Sequence, residues 1–250
     1  MITIANTMIS SVFNLILFQP LYNALVFLAS ILPGHSIALA IIILTVLIRF
    51  ILLPLYHKSL KTQRKLKEIE PELKKIKEEY NNKEEQARRI MELYRFHGVN
   101  PFSSIILLFV QLPVILALFY VFSRGFELNL DILYSFVQSP TTVDRTLFGL
   151  FPLTEKSYIL ALFVGLSQFF QIKLSLPPLP PKTDQTPSFQ SDLARSMNMQ
   201  MRYVMPVIIT VITSQFPAAI ALYWLTGNFF SIAHELLVRR EAVGIIGKIK

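Results

Sequence analysis

The 250-residue chain contains no cysteine. A disulfide, a cysteine-ligated metal and a lipidated N-terminal cysteine are therefore not expected. Residues 1 to 48 hold no Lys, Arg, Asp or Glu, so no basic n-region precedes the first apolar stretch and a standard signal peptide is not expected either. The four histidines, His35, His57, His97 and His234, lack ligand spacing, and His97, just before Gly98, reads as a helix-end residue that caps or packs. There is no Gly-rich phosphate loop and no Ser-His-acid set that could share one site. No catalytic residue, cofactor or metal is expected, and no covalent chemistry.

What is present is apolar. At 53% hydrophobic and 16% charged, with 20 phenylalanines and a mean hydropathy of +0.50, the chain is too apolar for an ordinary soluble domain. Its apolar residues gather into blocks at 37–56, 101–122, 157–176 and 203–234, which are free or nearly free of charge. The last block has 31 uncharged residues from Tyr203 to Ala233, more than one crossing needs, and Ser214-Gln215-Phe216-Pro217 supplies a break. This predicts an all-α integral membrane protein with five transmembrane helices.

Lys and Arg number twelve in 58–100, three in 123–157, four in 173–202 and four after His234. The positive-inside rule then puts 58–100, 173–202 and the C-terminus in the cytoplasm, and 123–157 and the 214–217 turn outside. The predicted segments are an external N-terminal segment at 1–36, transmembrane helices at 37–57, 101–123, 157–176, 201–215 and 217–238, and an extracytoplasmic loop at 124–156. A Pro-rich cytoplasmic loop at 177–200 and a cytoplasmic tail at 239–250 complete them. Residues 12 to 32 can either span or lie on the membrane without reorienting anything downstream. A helix from Pro20 to Leu32 is about 20 Å long, short for a 30 Å core, which favours an interfacial helix and an external N-terminus.

Residues 58–100 change to charged, helix-favouring composition, broken at Asn81-Asn82-Lys83. Leu66, Ile69, Leu73, Ile76 and Tyr80 step by 3 and 4, as do Ala87, Ile90, Tyr94 and His97. These seams predict a cytoplasmic antiparallel helical hairpin. With twelve basic and eight acidic side chains it could attract anionic lipids or present only a solvated face.

One residue inside a crossing helix resists a bland explanation. Arg49 lies within Thr45-Val46-Leu47-Ile48-Arg49-Phe50-Ile51-Leu52-Leu53-Pro54-Leu55, where an arginine at the helix centre costs about 2.5 to 3.5 kcal/mol on translocon scales. Such a residue usually faces a bundle interior or a hydrated cavity, so the chain is expected to enclose a polar chamber. Candidate lining residues fall on helical stripes: Thr45 with Arg49, Gln168 with Gln171, Thr210 with Thr213, and Trp224, Asn228 and Ser231 with Glu235. Gln111 adds an amide from the second span. A Thr, Ser or Gln in a span also has a plain use, hydrogen bonding to a neighbouring helix.

The chain resembles the YidC family of membrane protein insertases. The resemblance runs from Phe18-Gln19-Pro20-Leu21 to about Arg240 and is carried by Ile48-Arg49-Phe50, Leu53-Pro54-Leu55, Val99-Asn100-Pro101, Gln111-Leu112-Pro113, Met205-Pro206, Phe216-Pro217-Ala218 and Leu222-Tyr223-Trp224. It implies five helices around a hydrophilic groove that carries one arginine and opens to cytoplasm and lipid, with a cytoplasmic hairpin after the first span. The implied activity is insertion and folding of nascent membrane proteins in a bacterial plasma (inner) membrane, alone or beside the Sec translocon. Compared with many family members the chain looks minimal, and only Arg239, Arg240, Lys248 and Lys250 form a tail signal for a ribosome. No direct nucleic-acid contact is expected. The rival reading is a secondary transporter using Arg49 in an ion or solute pathway, for which the sequence offers neither an inverted repeat nor, apart from Glu235 at the cytoplasmic end of the last span, an intramembrane acid.

Overall fold

No glycine interrupts residues 35 to 97, and helix dominates that whole stretch. The computed structural model describes residues 13–80, 82–100, 113–122, 130–175, 196 and 198–247. Most of the expected second span, Gln111 and the Pro-rich loop lie outside the described residues. The helices are α1 (Gln19–Ile31), α2 (Ile37–Glu68), α3 (Glu70–Glu79), α4 (Lys83–Phe96), α5 (Pro113–Phe122), α6 (Tyr158–Ser175), α7 (Met205–Thr213) and α8 (Ala218–Gly247). No strand occurs among the described residues, so the all-α class holds. Among the described residues three stretches, Asn14–Ile31, Ile37–Ser59 and Tyr158–Ser175, are long and apolar enough to cross a membrane.

The chain divides into two compact units, Met1–Arg49 with Ala117–Lys250, and Phe50–Leu116. In the first, α6 packs against both α7 and α8. The break at 214–217 separates α7 from α8, and each of them lies on α6. Small residues allow the close approach: Ala38, Ala40, Ala161, Ala218 and Ala219 are fully buried. At Gly165 an added Cβ would overlap the Thr210 side chain of α7. The outward surfaces are apolar, with Leu162, Phe163, Leu166 and Phe170 on α6 and Val207 and Val211 on α7 exposed, which suits lipid rather than water.

Two prolines set unusual helix starts. Pro20 and Pro206 each sit in the first turn of an α-helix, and each is preceded by a π-helical turn, at Asn14–Phe18 and Gln200–Val204. A proline has no N–H and its ring crowds the carbonyl four residues back, and the wider turn accommodates this without ending the helix. The N-terminal helix therefore begins before Pro20, where the sequence suggested that it started.

The 130–157 segment is a built cap, not a plain connection. Leading amides of α2 and α8 have no partner within their own helices, and the segment supplies carbonyls to them. Ile37 N donates to Asp144 O at 2.9 Å, Ala218 N to Glu155 O at 2.7 Å and Ala219 N to Leu153 O at 3.0 Å. The same segment is tied to α1 by Asn23, only 2% exposed. Its Nδ2 donates to Ile132 O at 2.9 Å, and its Oδ1 accepts from Tyr134 N at 2.6 Å.

In the second unit α3 and α4 run in opposite directions and pack together. Asn82 caps α4 by accepting from Glu84 N at 2.9 Å, while Gln86 Nε2 donates to Lys77 O and Tyr80 O near the end of α3. The expected first seam is not continuous. The helix breaks at Ile69 (φ −89°, ψ 0°) and restarts at Glu70, because Pro71 cannot donate to residue 67 and is suited only to a first turn. His97 ends α4 with its Nε2 3.4 Å from Glu72 Oε2, a polar contact between the two arms.

Candidate polar site in the helix bundle

Thr45 and Arg49 stand four residues apart on α2, and both are buried, at 1% and 7% exposure. The Thr45 hydroxyl donates to Ile41 O at 2.6 Å, so its proton is satisfied inside its own helix. The Arg49 side chain lies against α8 at Gly227. A Cβ built there would fall 2.5 Å from one Nη and 3.2 Å from Cζ and Nε. Any side chain at 227 would displace the guanidinium.

From Gly227 the polar surface continues along the α6–α8 contact. Asn228 Nδ2 donates to Ser167 Oγ at 2.9 Å and, more weakly, to Val164 O at 3.4 Å. One turn earlier Trp224 Nε1 donates to Gln168 Oε1 at 3.2 Å, and Gln168 Nε2 passes a further bond to Gln171 Oε1 at 2.9 Å. Ser231 donates to Gly227 O at 2.9 Å. Ser167, Gln168, Gln171, Trp224 and Asn228 thus form a seam of neutral hydrogen bonds between α6 and α8. The bonds form because Ser167 and Gln168 turn toward α8 while Phe163, Leu166 and Phe170 turn outward.

The two remaining candidates sit differently. Thr210 donates to Pro206 O at 2.8 Å and presses on Gly165, and Thr213 donates to Ile209 O and is buried. Both are placed by the packing of α7. Ser167 and Gly227 were missed by sequence reasoning. Ser167 adjoins Gln168 in an apolar span and could have been read, whereas a glycine gives no sign that an arginine needs its empty face. Glu235, the carboxylate of the α8 stripe, is buried. Among the described residues no cluster of three His, Cys, Asp or Glu side chains could hold a metal.

A polar seam and a buried arginine in an apolar helical bundle define a multi-pass membrane protein with a polar interior face. A family model described as the 60Kd inner membrane protein matches residues 27–244, and the chain belongs to that family. Among its relatives are the membrane protein insertase YidC of Oceanobacillus iheyensis, 33% identical over 213 residues (83% of this chain and 76% of the relative), and the membrane protein insertase MisCA of Bacillus subtilis, 30% identical over 227 residues (88% and 76%). The membrane protein insertase YidC of Clostridium tetani is 32% identical over 217 residues, 86% of this chain and 87% of the relative. A crystal structure of an active YidC insertase with its first transmembrane domain resolved matches with a TM-score of 0.48 and 20% identity, over 79% of this chain and 40% of that one. The family match and the three long apolar helices support a multi-pass protein of the bacterial inner membrane.

Proposed function

We propose that this chain is a membrane protein insertase whose polar face, centred on Arg49 and the α6–α8 seam, receives the hydrophilic flank of a client during insertion. The observation that carries the reading is the burial of Arg49 against Gly227, one residue from Asn228, in a bundle whose family relatives are named insertases. Moving a short polar flank across hydrocarbon is opposed by desolvation. A polar surface partway across the bilayer lowers that barrier without a pore, and no covalent step is needed.

Acidic or neutral flanks are favoured, because a cation brought to Arg49 meets a like charge at low effective dielectric. The client's apolar segment slides along the outward faces of α6 and α8, past Phe163, Phe170 and Phe229, and partition into lipid drives the step. The continuous helix Gln200–Thr213 is about 21 Å long at 1.5 Å per residue, short of a ~30 Å core, and thins the surrounding bilayer. Residues 58–100 face the cytoplasm in this reading, where their net positive charge attracts anionic lipids, and the Sec translocon is a candidate partner.

The test is photo-crosslinking from positions 168 and 224 to a stalled nascent single-span protein in membranes, with lipid-facing position 229 for comparison. Adducts from 168 and 224 are expected. Their absence at all three positions, with the client shown to be inserted, would refute the reading and make solute flux through the purified protein the next measurement.

A further inference from the structure

The cap segment carries a feature that neither the seam nor the insertase reading uses. Between Thr146 and Phe151 the chain makes a compact turn with two large apolar side chains at its tip, Phe148 at 58% and Leu150 at 75% exposure. The turn is tightly specified. Asp144 Oδ1 accepts from Thr146 N at 2.9 Å and from Thr146 Oγ1 at 2.6 Å, and Thr146 Oγ1 in turn accepts from Gly149 N at 2.9 Å. Leu147 N donates to Phe151 O at 2.8 Å and Leu150 N to Leu147 O at 2.9 Å. Leu147 and Leu153 point inward and are buried.

Phe148 has φ +51° and Gly149 φ +78°. The left-handed region is natural for Gly149 and uncommon for a bulky residue such as phenylalanine. The turn holds Phe148 in a costly backbone state in which its ring stays exposed. In water that combination gains nothing.

The surroundings name what the tip meets. Asp144 bonds the first residue of α2 through Ile37 N, and Glu155 bonds the first residue of α8 through Ala218 N. Three residues further on, Tyr158 opens α6, with Tyr158 and Ile159 also exposed. Two of these three helices begin stretches long enough to cross a membrane, Ile37–Ser59 and Tyr158–Ser175. The tip is therefore anchored where the bundle's helices enter the bilayer, the level at which tyrosine and tryptophan gather and where Tyr158 is exposed.

We propose that Phe148 and Leu150 form a membrane wedge, seated among lipid headgroups and upper acyl chains at the face where α2, α6 and α8 begin. The occupant of this apolar tip is lipid. By fixing the cap to the interface, the wedge holds the starts of α2 and α8 at a set depth, whichever client the bundle handles.

Because the native chain can be read directly, the test needs no label on the protein. Trypsin cleavage after Arg145 and Lys156 releases the tip as Thr146–Lys156 and the start of α6 as Ser157–Lys173. The intact protein is reconstituted in phosphatidylcholine–phosphatidylglycerol vesicles containing a phosphatidylcholine with a diazirine near its acyl carbonyl. After illumination, lipid adducts are expected on both peptides. In Phe148→Ser/Leu150→Ser the tip adducts should fall roughly tenfold, since transfer of either side chain into lipid is worth at least that factor. Adducts on Ser157–Lys173 should not change, which controls for folding and reconstitution. A native tip without adducts while Ser157–Lys173 is labelled would overturn the proposal, as would tip adducts unchanged in the double variant. A tip bare in vesicles but shielded in whole membranes would reassign it to a protein partner.

Discussion

Gly227→Ala isolates the contribution of Arg49 without touching its charge. The new Cβ would lie 2.5 Å from an Nη, against an ordinary contact of about 3.5 Å, so the guanidinium must retreat by about 1 Å. The atoms in its way end a long flexible side chain, so the retreat is sterically easy. Alanine also favours the helix by roughly 0.5–1 kcal/mol over glycine, which offsets part of the crowding. Stability is therefore expected to change by less than about 1 kcal/mol, a Tm shift of about 2–4 °C at this chain length.

Function responds through charge. At an effective dielectric of ~20, an acidic flank at 4 Å from the guanidinium gains about 4.1 kcal/mol, and at 5 Å about 3.3 kcal/mol. The loss of about 0.8 kcal/mol is roughly a fourfold drop in rate. The assay is insertion of two clients into proteoliposomes, scored by protease protection, the clients differing only by Asp or Asn in the translocated flank. Gly227→Ala should slow the Asp client about fourfold relative to the Asn client, and Arg49→Ala should abolish the difference. Equal slowing of both clients by Gly227→Ala would show a packing defect and refute the argument.

Asn23→Leu removes the three side-chain hydrogen bonds of Asn23, one within α1 and two to the cap, and orphans Tyr134 N, so a destabilisation of about 2 kcal/mol is expected in a thermal melt. Hydrogen exchange at the Tyr134 amide should quicken in parallel. Gly165→Ala drives a methyl into Thr210 and should cost about 1–3 kcal/mol, recovered in part in Gly165→Ala/Thr210→Ala, where Pro206 O and the Cβ of residue 210 still lie 3.2 Å from the methyl. A double-mutant cycle by chemical denaturation in micelles checks the pair, and additive effects would contradict the contact.

The all-α membrane class was legible because hydropathy is summed over some twenty residues, and no single misread position changes the sum. Helical spacing likewise placed Gln168 and Gln171 on one stripe, and they are bonded to each other. Spacing fixes which residues share a face of a helix, but not which helix that face meets. The pairing of Trp224 with Gln168, 56 residues away, was therefore invisible, as was the laying of α7 on α6. The cap was silent for another reason. Its bonds to Ile37, Ala218 and Ala219 use backbone carbonyls, which every residue possesses. At Ile69 both signals were in the sequence, and the heptad pattern was followed where Pro71 decided the outcome.

The bonds that close the α6–α8 seam are neutral pairs, from Trp224 to Gln168 and from Asn228 to Ser167. Such interhelical bonds average about 0.6 kcal/mol in membrane bundles, near the thermal energy. A seam of ion pairs would resist opening, since parting buried charges costs about 3–5 kcal/mol. An amide seam can instead exchange its partners for the peptide groups of an arriving client at little net cost, because a client brings donors and acceptors of the same strength. Under the proposed function, the seam would close the polar face when it is empty and part when a client enters. Since the native chain has no cysteine, Gln168→Cys/Trp224→Cys can be bridged by a short bifunctional thiol reagent. Bridging should stop insertion while each single variant, treated alike, retains it, and full activity of the bridged protein would show that clients never pass between α6 and α8.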